Sequence, residues 1–239
     1  MQGGKLIRDI SRSDAGMSRA PDGAWSIHDH PRRKRLWSML GVKYLLDKEG
    51  EVTTTIFSEQ NRFTTSEFRL VFQEGQWRIA EYLDVYPRVY LAGNAVVETD
   101  DQKIIDRIFD PTFSPRDMLV IERPLPASFH LNGEGGDANI KVYEPTRIVV
   151  STHAEGNTLL FLSDSYNKGW KATVDGQSVE VYRANFAFRA VPLSSGEHEV
   201  VFRYELSSFT NGVRGSMFGL GLIGIVSTGW WVSRRRKIS

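Results

Sequence analysis

Hydrophobic and polar residues alternate with a period of two over most of the second half of this chain. Trp170, Ala172 and Val174 stand on one side of a run whose other side is Lys171 and Thr173. Phe186, Phe188 and Ala190 oppose Ala187, Arg189 and Val191, and Val200, Phe202 and Tyr204 oppose Val201, Arg203 and Glu205. A period of two places each set on one face of a β-strand. The runs MLVIE, IKVYE, TRIVVST, TLLFLSD, GWKATV, QSVEVYR, FAFRAV and HEVVFRYEL follow one another at the spacing of a sandwich. Asp175-Gly176, between two of these runs, is a favoured dipeptide for a two-residue hairpin turn. Ser194-Ser195-Gly196-Glu197 predicts a second turn of the same kind. The pattern predicts an antiparallel β-sandwich over residues 117–210.

A smaller α+β segment is expected over residues 31–116. PRRKRLWSML predicts a short helix from Arg32 to Leu40 that Gly41 breaks, and Val42 to Leu46 begins a strand. The basic run Arg32 to Arg35 reads either as a solvated helix start or as a contact with anionic head groups. Val52 to Ser58, Phe68 to Phe72, Trp77 to Ala80 and Val89 to Val97 are strand-like, with Glu74-Gly75 as a turn. Ile104, Ile105, Ile108 and Phe109 instead recur at helical spacing, and Asp110-Pro111 ends that helix. Thr99 with Gln102 three residues on reads as its capping box. Residues 1–30, rich in Gly, Ser, Asp and Arg, read as a polar arm.

The pattern changes again near the C-terminus. Ser216 to Val232 contains no charge, Arg214 precedes it, and Arg234, Arg235, Arg236 and Lys237 follow. A helix from Gly212 to Ser233 spans about 30 Å, the thickness of a bilayer's hydrocarbon core. Trp230 and Trp231 lie where an interfacial aromatic belt is expected, so residues 213–233 read as a transmembrane helix and 234–239 as a basic cytoplasmic tail. Gly215 and Gly219 are spaced for close packing against another helix. The positive-inside rule places the bulk of the chain outside the cytoplasm, anchored in the cell membrane. Its first 25 residues hold no apolar run of signal-peptide length. Together these readings point to the C-terminal part of a longer protein, whose upstream membrane helices, in the same chain or a split partner, set the topology.

Composition narrows the chemistry. The chain has 239 residues with 41% hydrophobic and 25% charged, a globular balance. Thirty lysines and arginines against 29 acidic residues give a net charge of +1, which argues against a nucleic-acid partner. The mean hydropathy of −0.32 excludes a protein lying mostly in lipid. Without cysteine there is no disulfide, thiolate metal site or cysteine nucleophile. His28 and His30 form the closest histidine pair, without an adjacent third ligand, so no metal is expected. The sequence contains no G-x-S-x-G, P-loop or H-E-x-x-H motif, and no catalytic residue or cofactor is assigned. The glycines from Gly133 to Gly136 read as a loop.

The loop LSDSYNKGW offers Asp164, Tyr166, Asn167 and Trp170, an aromatic platform with neighbouring amide and carboxylate of the kind that recognises sugars. Asn185 and Arg189, among the aromatics of YRANFAFRAV, invite the same reading. Candidate glycan-binding residues are therefore Tyr166, Asn167, Trp170, Asn185 and Arg189, with core packing as the competing role of each.

The same strands carry a resemblance. Tyr166 before Gly169-Trp170, then Val174-Asp175-Gly176, Arg183-Ala184-Asn185-Phe186, Phe188-Arg189, and Gly196-x-His198-x-Val200-x-Phe202-x-Tyr204 resemble the C-terminal signature of YfhO-type bacterial membrane proteins. MLGVKYLL and YPRVYLAGNAVV resemble the family's upstream strands, so the similarity runs from about residue 36 to the end. Glu81-Tyr82-Leu83-Asp84 departs from the family's Tyr-Glu-Asn. The resemblance implies a polytopic protein similar to GT-C glycosyltransferases that use polyprenyl-phosphate sugars outside the cytoplasm. It implies too that the hydrophobic body with the acidic catalytic residues lies outside this sequence. The chain would then be an accessory part, its partners the bilayer, upstream membrane helices and a cell-envelope glycan. A stand-alone membrane-anchored binding module and a truncated product without function are the alternatives.

Overall fold

The computed structural model describes residues 31–48, 67–133, 135–205, 216–221, 223, 224 and 227. The polar arm with His28 and His30, the expected strand at Val52 to Ser58, and the anchor residues Trp230, Trp231, Arg234, Arg235 and Arg236 lie outside them. The described chain is mainly β, as expected, in three sheets with two helices of eight or more residues among the described elements.

Helix α1 (Pro31–Leu40) leads into a three-stranded antiparallel sheet of β1 (Tyr44–Lys48), β2 (Phe68–Glu74) and β3 (Trp77–Tyr82), in the order β1-β3-β2. Trp37 of α1 packs edge-on against Phe68 and Tyr82, which stack on each other at 5.0 Å. One face of this sheet is thereby covered. Lys34 and Arg35 of the basic run are spent on the protein itself. Lys34 pairs with Glu67 at 2.9 Å, and Arg35 donates to the carbonyls of Ile108 and Asp110.

The main body stacks two larger sheets. The first takes β4 (Val89–Ala92), β5 (Asn94–Val97), β6 (Met118–Ile121), β9 (Thr158–Leu162), β12 (Tyr182–Ala184) and β13 (Phe188–Leu193), in the order β4-β9-β13-β12-β6-β5. The second takes β7 (Gly136–Glu144), β8 (Arg147–Ala154), β10 (Trp170–Val174), β11 (Gln177–Val179) and β14 (Gly196–Tyr204), in the order β11-β10-β14-β8-β7. Their facing sides meet through Val89, Leu91, Leu160, Leu162, Val191 and Leu193 on one sheet and Ile148, Val150, Ala172, Val200 and Phe202 on the other. The opposite face of the six-stranded sheet is covered by helix α2 (Asp101–Ile108) and by Leu36 and Met39 of α1. With apolar layers on both sides, that sheet can use continuous hydrophobic runs, and all five residues of β9 are buried. The five-stranded sheet has one wet face and alternates accordingly.

Four local expectations are corrected. Val89 to Val97 is two strands, not one: its first half pairs with β9 and its second half runs parallel to β6 at the other end of the sheet. Gly93 alone separates the halves, so both edges of the six-stranded sheet belong to one short segment and the sheet must curl to meet it. QSVEVYR likewise breaks, with β11 in one sheet and β12 in the other. Asp100, not Thr99, caps α2: its carboxylate accepts the Lys103 N–H at 2.9 Å. Glu98 takes the backbone N–H groups of Thr99 and Asp100, while Gln102 donates to Asp106, so the expected capping box is not made. Ser194 to Glu197 is a crossover between sheets, because β13 and β14 lie in different ones. The Asp175-Gly176 hairpin is as expected, with φ of 51° and 81° and Val174 opposite Gln177.

Residues 216–221, 223, 224 and 227 are helical, and Met217, Phe218, Leu220 and Ile223 are 65–71% exposed. Among the described residues no helix is long and apolar enough to cross a membrane. Most of the expected span at 213–233 lies beyond them.

Candidate functional site

The chain changes sheets twice at one end of the sandwich. Ser163 to Gly169 carries it from β9 to β10, and Glu180 with Val181 carries it from β11 to β12. Between these crossings lies a cleft of about 510 Å³, lined by Tyr166, Lys168, Trp170, Lys171, Ser178, Glu180 and Arg123 among others. Tyr166 and Trp170 are half-buried, so each packs on the inter-sheet core and also shows a surface to the cleft. Arg123, Lys168 and Lys171 face the single acid Glu180, which pairs with Arg123. Arg123 in turn lies over the ring of Tyr182 at 4.8 Å.

The loop that forms one wall is fixed by its own polar groups. Asn167 accepts the Gly169 N–H on its side chain at 2.8 Å and the Trp170 N–H on its carbonyl at 3.0 Å. This is an Asx-type turn. The Tyr166 N–H donates to the Ala187 carbonyl at 2.7 Å. Gly169 allows the tight approach, since a Cβ there would come within 2.7 Å of the Tyr204 ring. Tyr204 then meets Trp170 edge-on at 5.3 Å.

Behind Trp170 lies Arg189, 1% exposed, its guanidinium 4.0 Å from the indole centroid and 5.4 Å from that of Phe202. It donates to Asp164 at 3.0 Å. Asp164 also accepts from Arg88 at 3.0 Å and from the Tyr143 hydroxyl at 3.0 and 3.2 Å. Burial pushes the Arg189 guanidinium down to about 10, against the pull of Asp164, so it stays cationic at neutral pH. Burial and the Asp164 charge together raise the Tyr143 hydroxyl above its ordinary value. Asp164, expected as a sugar contact, is thus the hub of an internal network that ties the loop to both sheets.

The structure separates the five residues singled out for glycan binding. Tyr166 and Trp170 line the cleft, Asn167 shapes the loop beside it, and Arg189 backs Trp170 from inside. Asn185 lies elsewhere, fully buried. Its backbone N–H donates to the Val120 carbonyl at 2.8 Å and its side-chain oxygen accepts the Val120 N–H at 2.9 Å. The side chain thus mimics a strand partner for β6, in a turn where Asn185 and Phe186 have φ of 43° and 73°. Neither Asn185 nor Arg189 presents a surface to a ligand. Arg123, Ser178 and Glu180 were not foreseen, because only the sheet-to-sheet crossing brings them to the aromatic loop.

Residues 134–213 match the family described as bacterial membrane protein YfhO. The YfhO-type resemblance of the sequence therefore holds over this segment, which contains both crossings of the cleft and all of its lining residues but Arg123. Arg123 and the small sheet lie outside the YfhO match. No curated protein and no solved structure matches the chain.

Proposed function

We propose that this chain is the extracytoplasmic C-terminal domain and last membrane helix of a YfhO-like, GT-C-type membrane protein, and that its cleft holds a cell-envelope glycan or acceptor polymer. The observation that carries this reading is the pairing of two half-buried aromatic side chains with cationic neighbours in one cleft of a YfhO-matching segment. Aromatic faces stack on sugar rings, and the surrounding polar groups orient hydroxyls or acidic substituents. The uncharged run around the exposed Met217, Phe218, Leu220 and Ile223 supplies the anchor at 213–233, with the arginines beyond it in the cytoplasm. In this role the chain binds and positions; the glycosyl transfer belongs to a membrane body outside this sequence.

The test is binding of the full chain, reconstituted in lipid nanodiscs, to purified bacterial envelope polysaccharide. Saturable binding is expected, with Lys168→Ala and Trp170→Phe each weakening it by about tenfold, near 1.4 kcal/mol. Lys168→Ala leaves the core untouched, so its melting temperature should hold, whereas Trp170→Phe also trims the ring over Arg189 and should lower it. Absence of saturable binding, or wild-type affinity in both variants, overturns the reading.

A further inference from the structure

The three-stranded sheet has an outward face that breaks the pattern of the other wet face in the molecule. On the five-stranded sheet the outward rows carry Lys171, Thr173, Arg203, Glu199, Ser151, Glu197 and His153 around one valine row, Val201, Val149 and Val142, none of which is exposed. On the small sheet the register places Leu46, Ile79 and Phe72 side by side across all three strands, on the side away from α1. The neighbouring row is Tyr44, Glu81 and Arg69, and the row on the other side brings Trp77 between Lys48 and Glu74. Tyr44, Leu46, Phe72 and Trp77 are 46–68% exposed. A sheet face with an unbroken apolar row toward solvent is uncommon unless something covers it.

The composition of the face indicates what covers it. Its apolar row is flanked by one tyrosine and one tryptophan, the side chains that favour the boundary between hydrocarbon and head groups. Beside Tyr44, two exposed cations, Lys43 and Arg69, share one carboxylate, Glu81, leaving that end of the rim positive. Lys43 also lies 5.4 Å from the Tyr44 ring centroid. An apolar centre with amphipathic aromatics and a cationic rim complements an anionic bilayer surface: the rings enter the head-group layer while the long cationic side chains reach its phosphates.

We infer that the outward face of the small sheet, centred on Leu46, Ile79 and Phe72, rests on the lipid head-group layer of the membrane that anchors the chain. The inference rests on the membrane-anchored reading above. It adds a second contact with the bilayer, made by strands some 140 residues before the anchor. That contact would hold the domain at a fixed tilt over the lipid surface.

The test uses the full chain in liposomes of phosphatidylcholine and phosphatidylglycerol, with lipids brominated at shallow or deep acyl positions. The Trp77 signal is the difference between wild type and Trp77→Phe. More than half of that signal should be quenched by shallow-brominated lipid, and less by deep-brominated lipid. Phe72→Asp combined with Leu46→Asp should abolish the shallow quenching while the chain still floats with the liposomes. A chain that floats with liposomes while Trp77 is quenched only by aqueous acrylamide overturns this inference and leaves the anchor standing. A Trp77 reached by neither quencher shows the face covered by protein and overturns it as well. A chain that fails to float removes the anchored reading itself.

Discussion

The six-stranded and three-stranded sheets both carry large apolar side chains, yet they stand in different surroundings. In the larger sheet every residue of β4 and β9 is buried, one side facing the second sheet and the other facing α1 and α2. In the smaller one β2 keeps only its first residue buried, and α1 covers a single side. A sheet packed between two layers draws stability from both, whereas the small sheet has three buried apolar residues, Phe68, Ala80 and Tyr82, at its centre. The contrast teaches that apolar strand content does not by itself locate a core. What lies against each face decides whether an aromatic is structural ballast or an available contact.

The largest test of this contrast is a pair of truncations. Phe161, 1% exposed and stacked on Tyr90 at 4.7 Å, should cost about 3–5 kcal/mol on change to alanine. Phe72→Ala, on the outward face, should cost about 0.5 kcal/mol or less. Urea midpoints of the detergent-solubilised chain measure both, and similar losses would remove the distinction between the sheets. A smaller effect sharpens the account of α2, which covers only the larger sheet. Asp100→Ala should lose about 1 kcal/mol as an N-cap, while Thr99→Ala should leave the midpoint unchanged. The reverse result would restore the Thr99 cap.

The smallest effect concerns acid. Hydrogen bonds from Arg69, and then from Lys43, hold the Glu81 carboxyl below its ordinary value despite the opposing effect of burial. A carboxyl depressed in the folded state supports stability above its unfolded value of about 4.3 and loses that support as pH falls through the folded value. The melting temperature of wild type should therefore drop on acidification below about pH 4. Glu81→Gln should flatten part of that drop. In the main body Asp175 is depressed likewise, first by His198 and then by the Glu199 N–H, so the remaining slope in the variant reports on it. An unchanged slope in Glu81→Gln would show that the small sheet has no share in the acid response.

The sequence was most legible where one face of a strand is wet. Lys171 and Thr173 between Trp170, Ala172 and Val174 mark such a strand without ambiguity, and β10 and β14 lie as the alternation requires. It was least legible where the chain changes sheets. QSVEVYR alternates through Glu180 and Val181 as if continuous, and nothing local reports that partners on two different sheets claim its halves. Phe186 reads as a strand residue by its aromatic ring, but Asn185 beside it tolerates the left-handed backbone and turns the chain there. Thr99 and Asp100 are both competent caps, and Glu98 decides between them by taking the Thr99 and Asp100 N–H groups. At the cleft, Tyr166 and Trp170 were visible as an aromatic loop. Arg123 arrives from the segment just after β6 and Glu180 from a crossover, and their proximity is a property of the topology alone.

The position of β14 in its sheet has a bearing on how this protein is made. It is the last of the described strands but the middle strand of five, with β10 on one side and β8 on the other. Neither β8 nor β10 has its central neighbour until Gly196–Tyr204 has been synthesised and delivered. In the six-stranded sheet, Val89–Ala92 similarly waits for β9, which follows about 65 residues later. Strands of such long-range pairing spend a period of synthesis with their partners missing. The sandwich can therefore close only when the chain has emerged as far as Tyr204, about a dozen residues before the apolar run at Ser216. Completion of the domain and arrival of that run are bound into a single late event.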